Sequence, residues 1–487
     1  MQDIYLTNSL TNKKDKFVPI KEGEVSIYSC GPTVYDYAHI GNFRSFLMSD
    51  LLFRVFKYAG YEVKKVQNIT DVGHLTNDDI ADADGEDKIA KKAKAEGKDA
   101  FEIARYYEKL FIEDENTLRI IPPNTGRPRA TEFIKEQLEL IKQLIEKEFA
   151  YEVNGSVYFR TAKFKDYGKL SGNKLSDLQA GARVEINSEK EDPLDFALWK
   201  SADKNHLMQW KSPWGMGFPG WHIECSAMSK KLLGKNFDIH TGGEDNIFPH
   251  HECEIAQNEC SFGGKINYWL HAKHLLVDGK KMSKSKGNFY TIRDLLEEGW
   301  RGNEIRLALI KSHYKSSLNF SKKLLEESRK NIKDIEESRR ICNDTLAALD
   351  VKKDKVLSDY LIEFKKGFQS ALFDDLNIPE ALANVFKAIK HTMVIKENKL
   401  ERKDLNLDIL VELLNFLEND FNQIFDIFPE EIKVSDEKIK EIEQKIAERN
   451  QARENKNWEL SDKIRDELLL DGVELIDKAA TTRWKIK

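Results

Sequence analysis

The sequence predicts an α/β protein: a doubly wound parallel sheet carrying an inserted connective subdomain, followed by an α-helical bundle and a small C-terminal domain. Three observations predict it. The first third alternates strand-like and helix-like segments, the unit of a parallel crossover sheet. A stretch in the middle breaks that alternation with turn and hairpin signals. From about residue 320 the pattern changes to long, charged, amphipathic helices. A length of 487 residues is compatible with about three domains.

The elements follow in order. Val25 and Ile27 alternate with polar residues as in a short strand, and Gly31-Pro32 then breaks the chain. From Phe43 to Ala59, Phe43, Phe46, Leu47, Leu51 and Val55 recur at helical spacing. Tyr61 to Ile69 returns to strand character. The expected insertion opens with the turn-rich IPPNTGRPRA, continues into the helix TEFIKEQLELIKQLIEKEF, and then places two strand-like arms around Asn154-Gly155, a strong hairpin signal. Strand character resumes at Phe237-Asp238-Ile239, ahead of Gly242 and Gly243. Beyond residue 320, Leu325, Ile332, Ile335, Cys342 and Leu346 fall on one stripe, as bundle packing requires. The last part reads as a charged helix to about Leu470, then Gly472 and a short tail. The expected boundaries are 1–114 and 206–292 for the two halves of the sheet domain, 115–205 for the insertion, 293–325 for a linking segment, 326–430 for the bundle and 431–487 for the C-terminal domain.

Charged residues make up 33% and hydrophobic ones 40%, a soluble balance, and the net charge is −6. Net charge neither supports nor excludes a polyanionic partner, because only the contact face must be basic. Five cysteines, an odd number without framework spacing, argue against a disulfide scaffold. The N-terminal stretch has no apolar core of a signal peptide, and no run approaches the ~18 apolar residues of a membrane span. A cytoplasmic protein without a membrane partner is expected.

Three stretches carry chemistry. FPHHECE, residues 248–254, holds two histidines, a cysteine and two glutamates. On a helix His250 and Glu254 share a face, Cys253 lies close to it, and His251 points about 100° away. Ligands from one helix do not close a metal site, so the stretch alone leaves metal binding open. CGPTVYDYAHIGN, residues 30–42, lies between a strand and a helix, where free N–H groups and the positive dipole end favour phosphate. Gly41 allows close backbone approach there, and His39 can donate to a phosphate oxygen. KKMSKSKGN, residues 280–288, gathers four lysines and two serines that can clamp a polyphosphate.

Together, in this order, the last two stretches resemble the HIGH and KMSKS signatures of class I aminoacyl-tRNA synthetases, whose catalytic domain is Rossmann-like. His39 and Asn42 match the two histidine positions of HIGH, with asparagine a departure whose amide can still donate. Lys281, Met282, Ser283, Lys284 and Ser285 match the second motif. Adding FPGWHIECSAM (218–228), FDIHTGGEDNIFPHHECEIAQ (237–257), FDDLNIPEALANVF (373–386) and RNQARENKNWELSDKIRDEL (449–468), the chain is similar to the cysteinyl-tRNA synthetase family from about residue 4 to its end. Regions 130–200 and 390–430 match loosely.

The resemblance implies adenylation of L-cysteine by ATP with Mg²⁺, transfer to the 3′ end of cysteine tRNA, and one zinc ion per chain held by Cys30, Cys225, His250 and Glu254. That metal would select thiolate over serine hydroxyl, because a coordinating thiol loses its proton outright. Cys253, Cys260 and His251 are read as structural. Trp221, Thr70 and Gly31 would border the cysteine pocket. Gly242, Gly243 and Asp245, with His39, Gly41 and Asn42, would hold ATP, and Lys284 would be the main phosphate contact. His39, Asn42, Lys281 and Lys284 are the expected catalytic groups. In the C-terminal anticodon-binding domain Trp458, Asp462, Arg465, Asp477 and Trp484 would read loop bases. The acidic stretch 68–89 is longer than the shortest family versions and reads as a solvent-facing insertion. A monomer is expected, since no dimerisation segment is recognisable. Two alternatives stand beside this reading: a cysteine-adenylating ligase acting on a small amine, which would not need the C-terminal resemblance, and a noncatalytic RNA-binding relic, which would not need intact phosphate motifs.

Overall fold

The computed structural model describes residues 2–72, 88–173, 189–203, 206–282, 287–349, 359–396, 406–428, 436–478 and 481–486. Most of the acidic 68–89 stretch and residues 283–286 of the lysine loop lie outside this set. The chain divides into two compact units, Met1–Phe428 and Pro429–Lys487.

In the first unit the expected parallel sheet is present. Its strands are β1 (Glu24–Ser29), β2 (Glu62–Gln67), β3 (Phe237–Gly243) and β4 (Ile266–Ala272), and they lie in the order β4-β3-β1-β2, all parallel. The crossover from β1 to β2 is α1 (Ile40–Tyr58), and that from β3 to β4 is α3 (Glu252–Phe262). Between β2 and β3 the chain makes its long excursion and returns through α2 (Trp221–Leu233). Strand order reverses between β1 and β3, and the carboxyl ends at such a switch point form a natural ligand crevice.

The apolar periodicity explains α1. Phe43, Phe46, Leu47, Leu51 and Val55 are all buried, and Val25 and Ile27 are fully buried on β1. Asp50, also buried, accepts from Arg306 Nη2 at 2.6 Å, Arg54 Nε at 2.9 Å and the Ile121 N–H at 2.9 Å. One carboxylate thereby ties α1 to the helix Gly302–Ile310 and to the start of the excursion.

The hairpin at Asn154-Gly155 forms as expected, both residues taking positive φ (52° and 86°), as a tight two-residue turn demands. It belongs to a five-stranded antiparallel sheet that continues to Gly215–Pro219, past the expected boundary at residue 205. The expected linking segment 293–325 is ordered secondary structure, because its strand Leu318–Phe320 runs parallel to Leu275–Val277, whose antiparallel partner is Lys280–Lys281. In the helix Lys322–Ala348 the stripe Leu325, Ile332, Ile335, Cys342 and Leu346 is buried, as the spacing predicts.

The second unit corrects the reading of one helix and a tail. Two helices, Asp436–Glu454 and Trp458–Leu470, are separated where Lys456 takes positive φ (56°) and the Asn457 side chain accepts from the Leu460 N–H. The tail is an antiparallel hairpin, Val473–Lys478 with Thr481–Ile486. Leu475 and Trp484 sit opposite one another and pack on Ile442, Ile446, Ile464, Leu468 and Val473. Among the described residues no helix is long and apolar enough to cross a membrane.

Candidate active site

The signature turn is built from its own side chains. His39 is the N-cap of α1. Its Nδ1 accepts from the Asn42 N–H at 3.2 Å, while its own N–H donates to Asn42 Oδ1 at 3.0 Å. This reciprocal capping box satisfies donors that a helix start leaves free. It also gives the asparagine a local reason, since its Oδ1 is used while its amide nitrogen remains a donor. Gly41 has a packing reason as well: a Cβ there would lie 2.9 Å from Met282 Cε. The second signature thus rests on the first. Its base is held by Asn288 Nδ2, which donates to the Lys281 carbonyl at 3.2 Å, and by the Ile40 N–H, which donates to Tyr290 O at 3.0 Å. Lys281 is exposed; Lys284 lies outside the described residues.

These elements border a cavity of about 310 Å³ at the carboxyl ends of β1, β3 and β4. Its lining includes Gly31, His39, Trp221, Gly243, Asp245 and Lys281. Gly31 is fixed by packing, because a Cβ would meet Asn68 O at 1.6 Å, and its N–H donates to Asn68 Oδ1 at 2.9 Å. Thr70 does not border the cavity. It is buried behind that wall and accepts from Asn68 Nδ2 at 3.1 Å. Gly242 likewise lies behind Gly243, in contact distance of His251: a Cβ there would be 2.8 Å from the His251 ring.

At the base of the cavity the ligand atoms of Cys30, Cys225, His250 and Glu254 all lie within 4.8 Å of one another, and all four residues are buried. Cys30 follows β1, Cys225 lies on α2, and the other two come from the 247–254 stretch. That stretch is not one helix. Phe248 is extended (φ −137°, ψ 132°) and α3 begins only at Glu252, yet His250 Nε2 and Glu254 Oε1 are 3.1 Å apart. Trp221, the first residue of α2, stacks on the His250 ring with centroids 4.2 Å apart.

Sequence reasoning missed the histidines around this cluster. His222 Nδ1 is 3.0 Å from His250 Nδ1, and His240 Nε2 is 3.0 Å from Glu254 Oε2. His251, expected to point away, has Nε2 3.2 Å from Cys30 Sγ and Nδ1 2.8 Å from His271 Nε2. Cys30, His240, His251 and Glu254 therefore form a second, overlapping set of possible ligands. Cys253 is apart from both, with Sγ 3.4 Å from the Tyr167 hydroxyl. A signal was present in the sequence, since His240 interrupts an otherwise buried strand, but a lone histidine on a strand is chemically ambiguous.

The buried groups of the cluster shift one another strongly. Burial pushes the Cys30 thiol up, and the neighbouring Cys30 thiol together with burial pushes Cys225 well up. Burial disfavours charge on His250, but Cys225 and Glu254 outweigh it and raise the imidazole to about 9. Burial likewise opposes ionisation of Glu254, and His240 and His250 overcome it, bringing the carboxyl to about 2. His251 falls well below its ordinary value through burial and its histidine neighbours.

In the second unit Trp458 is 58% exposed, and Asp462 and Arg465 are exposed and paired at 3.0 Å on the same helix. Trp484 is half-buried in the unit's own core, and Asp477 stands opposite Thr482 in the hairpin.

A parallel sheet with a capped signature helix, a second signature resting on it and a cavity at the switch point defines a class I tRNA synthetase catalytic domain, and residues 16–330 match the family model described as the tRNA synthetases class I (C) catalytic domain. The fold agrees with solved structures: a Mycobacterium tuberculosis methionyl-tRNA synthetase in complex with methionyl-adenylate superposes with a TM-score of 0.59 at 14% identity, over 83% of this chain and 92% of that one. Among relatives, the cysteine–tRNA ligase of Brachyspira hyodysenteriae is 42% identical over 506 aligned positions, covering 100% of both chains. That of Fusobacterium nucleatum is 40% identical over 489 positions, covering 99% of both. The chain belongs to the cysteine–tRNA ligase family.

Proposed function

We propose that this protein activates L-cysteine with ATP, forming cysteinyl adenylate and pyrophosphate, and transfers the cysteinyl group to the 3′ end of cysteine tRNA. The observation that carries this reading is the buried Cys30–Cys225–His250–Glu254 cluster at the base of the cavity between the two signatures. Two thiols, an imidazole and a carboxylate are the donor set of a zinc site, and the buried Glu254 Oε1 has no aligned hydrogen-bond donor. The set with two thiols is favoured over the overlapping one by its donors, since thiolate binds zinc well; His250 and His251 both direct Nε2 into the cluster and leave Nδ1 to a neighbouring histidine. When bound, zinc would supply a thiolate-preferring position beside the substrate, a basis for rejecting serine that pocket shape alone provides only to about 10²-fold.

The chain's own residues do the rest. Trp221 walls the side chain of the amino acid, and Gly31 lets it approach β1. Gly243 and Asp245 are placed to meet the nucleotide, the carboxylate accepting from ribose hydroxyls. His39 and the first N–H groups of α1 face the phosphates, with Lys281 and Lys284 neutralising the charge that develops at the α-phosphate as the substrate carboxylate attacks. No side chain needs to act as nucleophile, so positioning and charge stabilisation supply the rate. Mg²⁺ accompanies ATP. Trp458, Asp462 and Arg465 present one exposed aromatic face and two hydrogen-bonding groups for anticodon bases; Asp477 and Trp484 complete the set, the latter also as a packing residue. The boundaries at 114, 292 and 325 are proposed as functional divisions within the first unit.

The test is charging of a cysteine tRNA transcript with labelled cysteine, with metal content measured on the same sample and serine as competitor. Cysteinyl-tRNA with one zinc per chain and no seryl product is expected. Cysteine-dependent pyrophosphate exchange without charging would overturn the tRNA assignment in favour of a small-amine ligase.

A further inference from the structure

Two residues beyond the capping box, α1 carries Arg44, almost wholly buried at 3% exposure. A guanidinium has five N–H donors in a fixed fork, and here all five are engaged. Nε donates to the Lys273 carbonyl at 3.1 Å. Nη1 donates to Ser312 Oγ at 3.0 Å and, at the limit, to Leu309 O at 3.5 Å. Nη2 donates to the His313 carbonyl at 3.0 Å and to the Ser316 carbonyl. None of these acceptors is a carboxylate, so the contacts are not ion pairing. They are a template that fixes the path of the chain over residues 309–316.

Both ends of that path reach the nucleotide side of the cavity. Lys273 follows β4 and borders the cavity with His274. Its carbonyl is held by Arg44 and its N–H by the Tyr314 carbonyl at 2.8 Å, so its backbone is clamped on both sides by one assembly. Its ammonium then meets Glu244 Oε2 at 2.6 Å, and Glu244 Oε1 accepts from the His274 N–H at 2.8 Å. In the other direction, the chain after Ser316 becomes the strand Leu318–Phe320, which pairs with Leu275–Val277 and so supports the hairpin leading through Lys280–Lys281 to Met282.

From this geometry we infer that Arg44 is a positioning residue for the nucleotide site: one side chain of the first signature helix sets the distance from that helix to the 273–275 wall and to the hairpin that carries the second signature. The inference rests on the reading of the cavity as the ATP site. Lysine at this position keeps the charge, but its three donors on one nitrogen cannot serve acceptors arranged around a planar fork.

The experiment is cysteine-dependent ATP–pyrophosphate exchange by full-length Arg44→Lys and Ser312→Ala proteins, with zinc content and thermal midpoint measured alongside. For Arg44→Lys the KM for ATP should rise by about 10- to 100-fold, the scale of a misplacement near 1 Å, while zinc content and the KM for cysteine stay at wild-type values. Ser312→Ala removes one of the five acceptors and should shift the ATP KM in the same direction by a smaller factor. A merely structural role would lower the active fraction and leave the ATP KM unchanged, and that result overturns the inference. If Arg44→Lys does not fold, Ser312→Ala decides: an unchanged ATP KM overturns it, and a raised one supports it. Wild-type protein without any cysteine-dependent exchange would refute the reading of the site itself, an outcome distinct from either.

Discussion

Replacing Cys225 by serine puts the metal assignment at most risk. Cys225 is one of four residues whose ligand atoms converge within 4.8 Å, and it supplies one of only two thiols in that set. Apparent binding free energies for four-ligand zinc sites run to about 10–16 kcal/mol, so one ligand carries on the order of 3 kcal/mol. That corresponds to roughly a 100-fold rise in the dissociation constant. Serine oxygen is a poorer zinc ligand than thiolate, and the buried hydroxyl would find His250 and Cys30 rather than water around it. Competition against a chromophoric chelator at neutral pH reads the metal affinity, and pyrophosphate exchange with cysteine and with serine reads the consequence. Zinc affinity should fall about 100-fold, and cysteine should lose most of its advantage over serine. Cys253→Ser is the control, because its sulfur faces Tyr167 at 3.4 Å, and it should keep its metal. Wild-type zinc affinity in Cys225→Ser would refute the assignment, as would loss of the metal in Cys253→Ser, which would place the ligands elsewhere.

Asp50→Asn should destabilise the first unit by roughly 3–5 kcal/mol, because it leaves Arg306 buried without its paired carboxylate and Arg54 with Asp426 alone; denaturant unfolding measures this, and a loss near zero would show that the remaining carbonyls and Asp426 satisfy the arginines. Burial opposes ionisation of Asp50, but Arg306 and Arg54 outweigh it and hold the carboxyl below its ordinary value. With the folded pKa depressed, its contribution is present above the unfolded value of about 3.9 and is lost as pH falls through the folded one. The wild type should therefore lose stability more steeply than Asp50→Asn below about pH 4, and parallel acid-unfolding curves would contradict this. Trp458→Ala removes an exposed aromatic face; base stacking contributes about 1–3 kcal/mol, so tRNA charging at limiting tRNA should fall roughly 5- to 100-fold with pyrophosphate exchange unchanged. Equal charging would remove Trp458 from the tRNA contacts.

How much of this was legible in the sequence depends on the distance over which each feature is encoded. The sheet strands, α1, the Asn154-Gly155 turn and the stripe from Leu325 to Leu346 are local patterns, and all appear where periodicity and turn chemistry put them. The C-terminal hairpin was not read, because its two arms are short and only their cross-strand packing, Leu475 opposite Trp484, makes them a hairpin rather than a tail. At the site, His250 and Glu254 were paired by helical spacing. They do meet, although through a turn with an extended Phe248 ahead of the helix rather than along the helix itself. Nothing in spacing joins Cys30 to Cys225; they meet because β1 ends beside α2, and family resemblance had to stand in for that long-range geometry. The same limit hid His222, His240 and His271, each unremarkable in its own element.

Gly41 and Asn42 teach the converse. Read as phosphate-binding residues, they also have close neighbours: a Cβ at Gly41 would crowd the His39 ring and the Met282 methyl, and the Asn42 carboxamide closes the His39 cap. A signature motif is constrained both by what it binds and by what holds it in place, and only the first constraint can be guessed from a linear sequence. Arg44 belongs wholly to the second kind. It lies two residues past the signature and touches no expected ligand, and its role becomes visible only when the five acceptors from residues far along the chain are seen around one guanidinium.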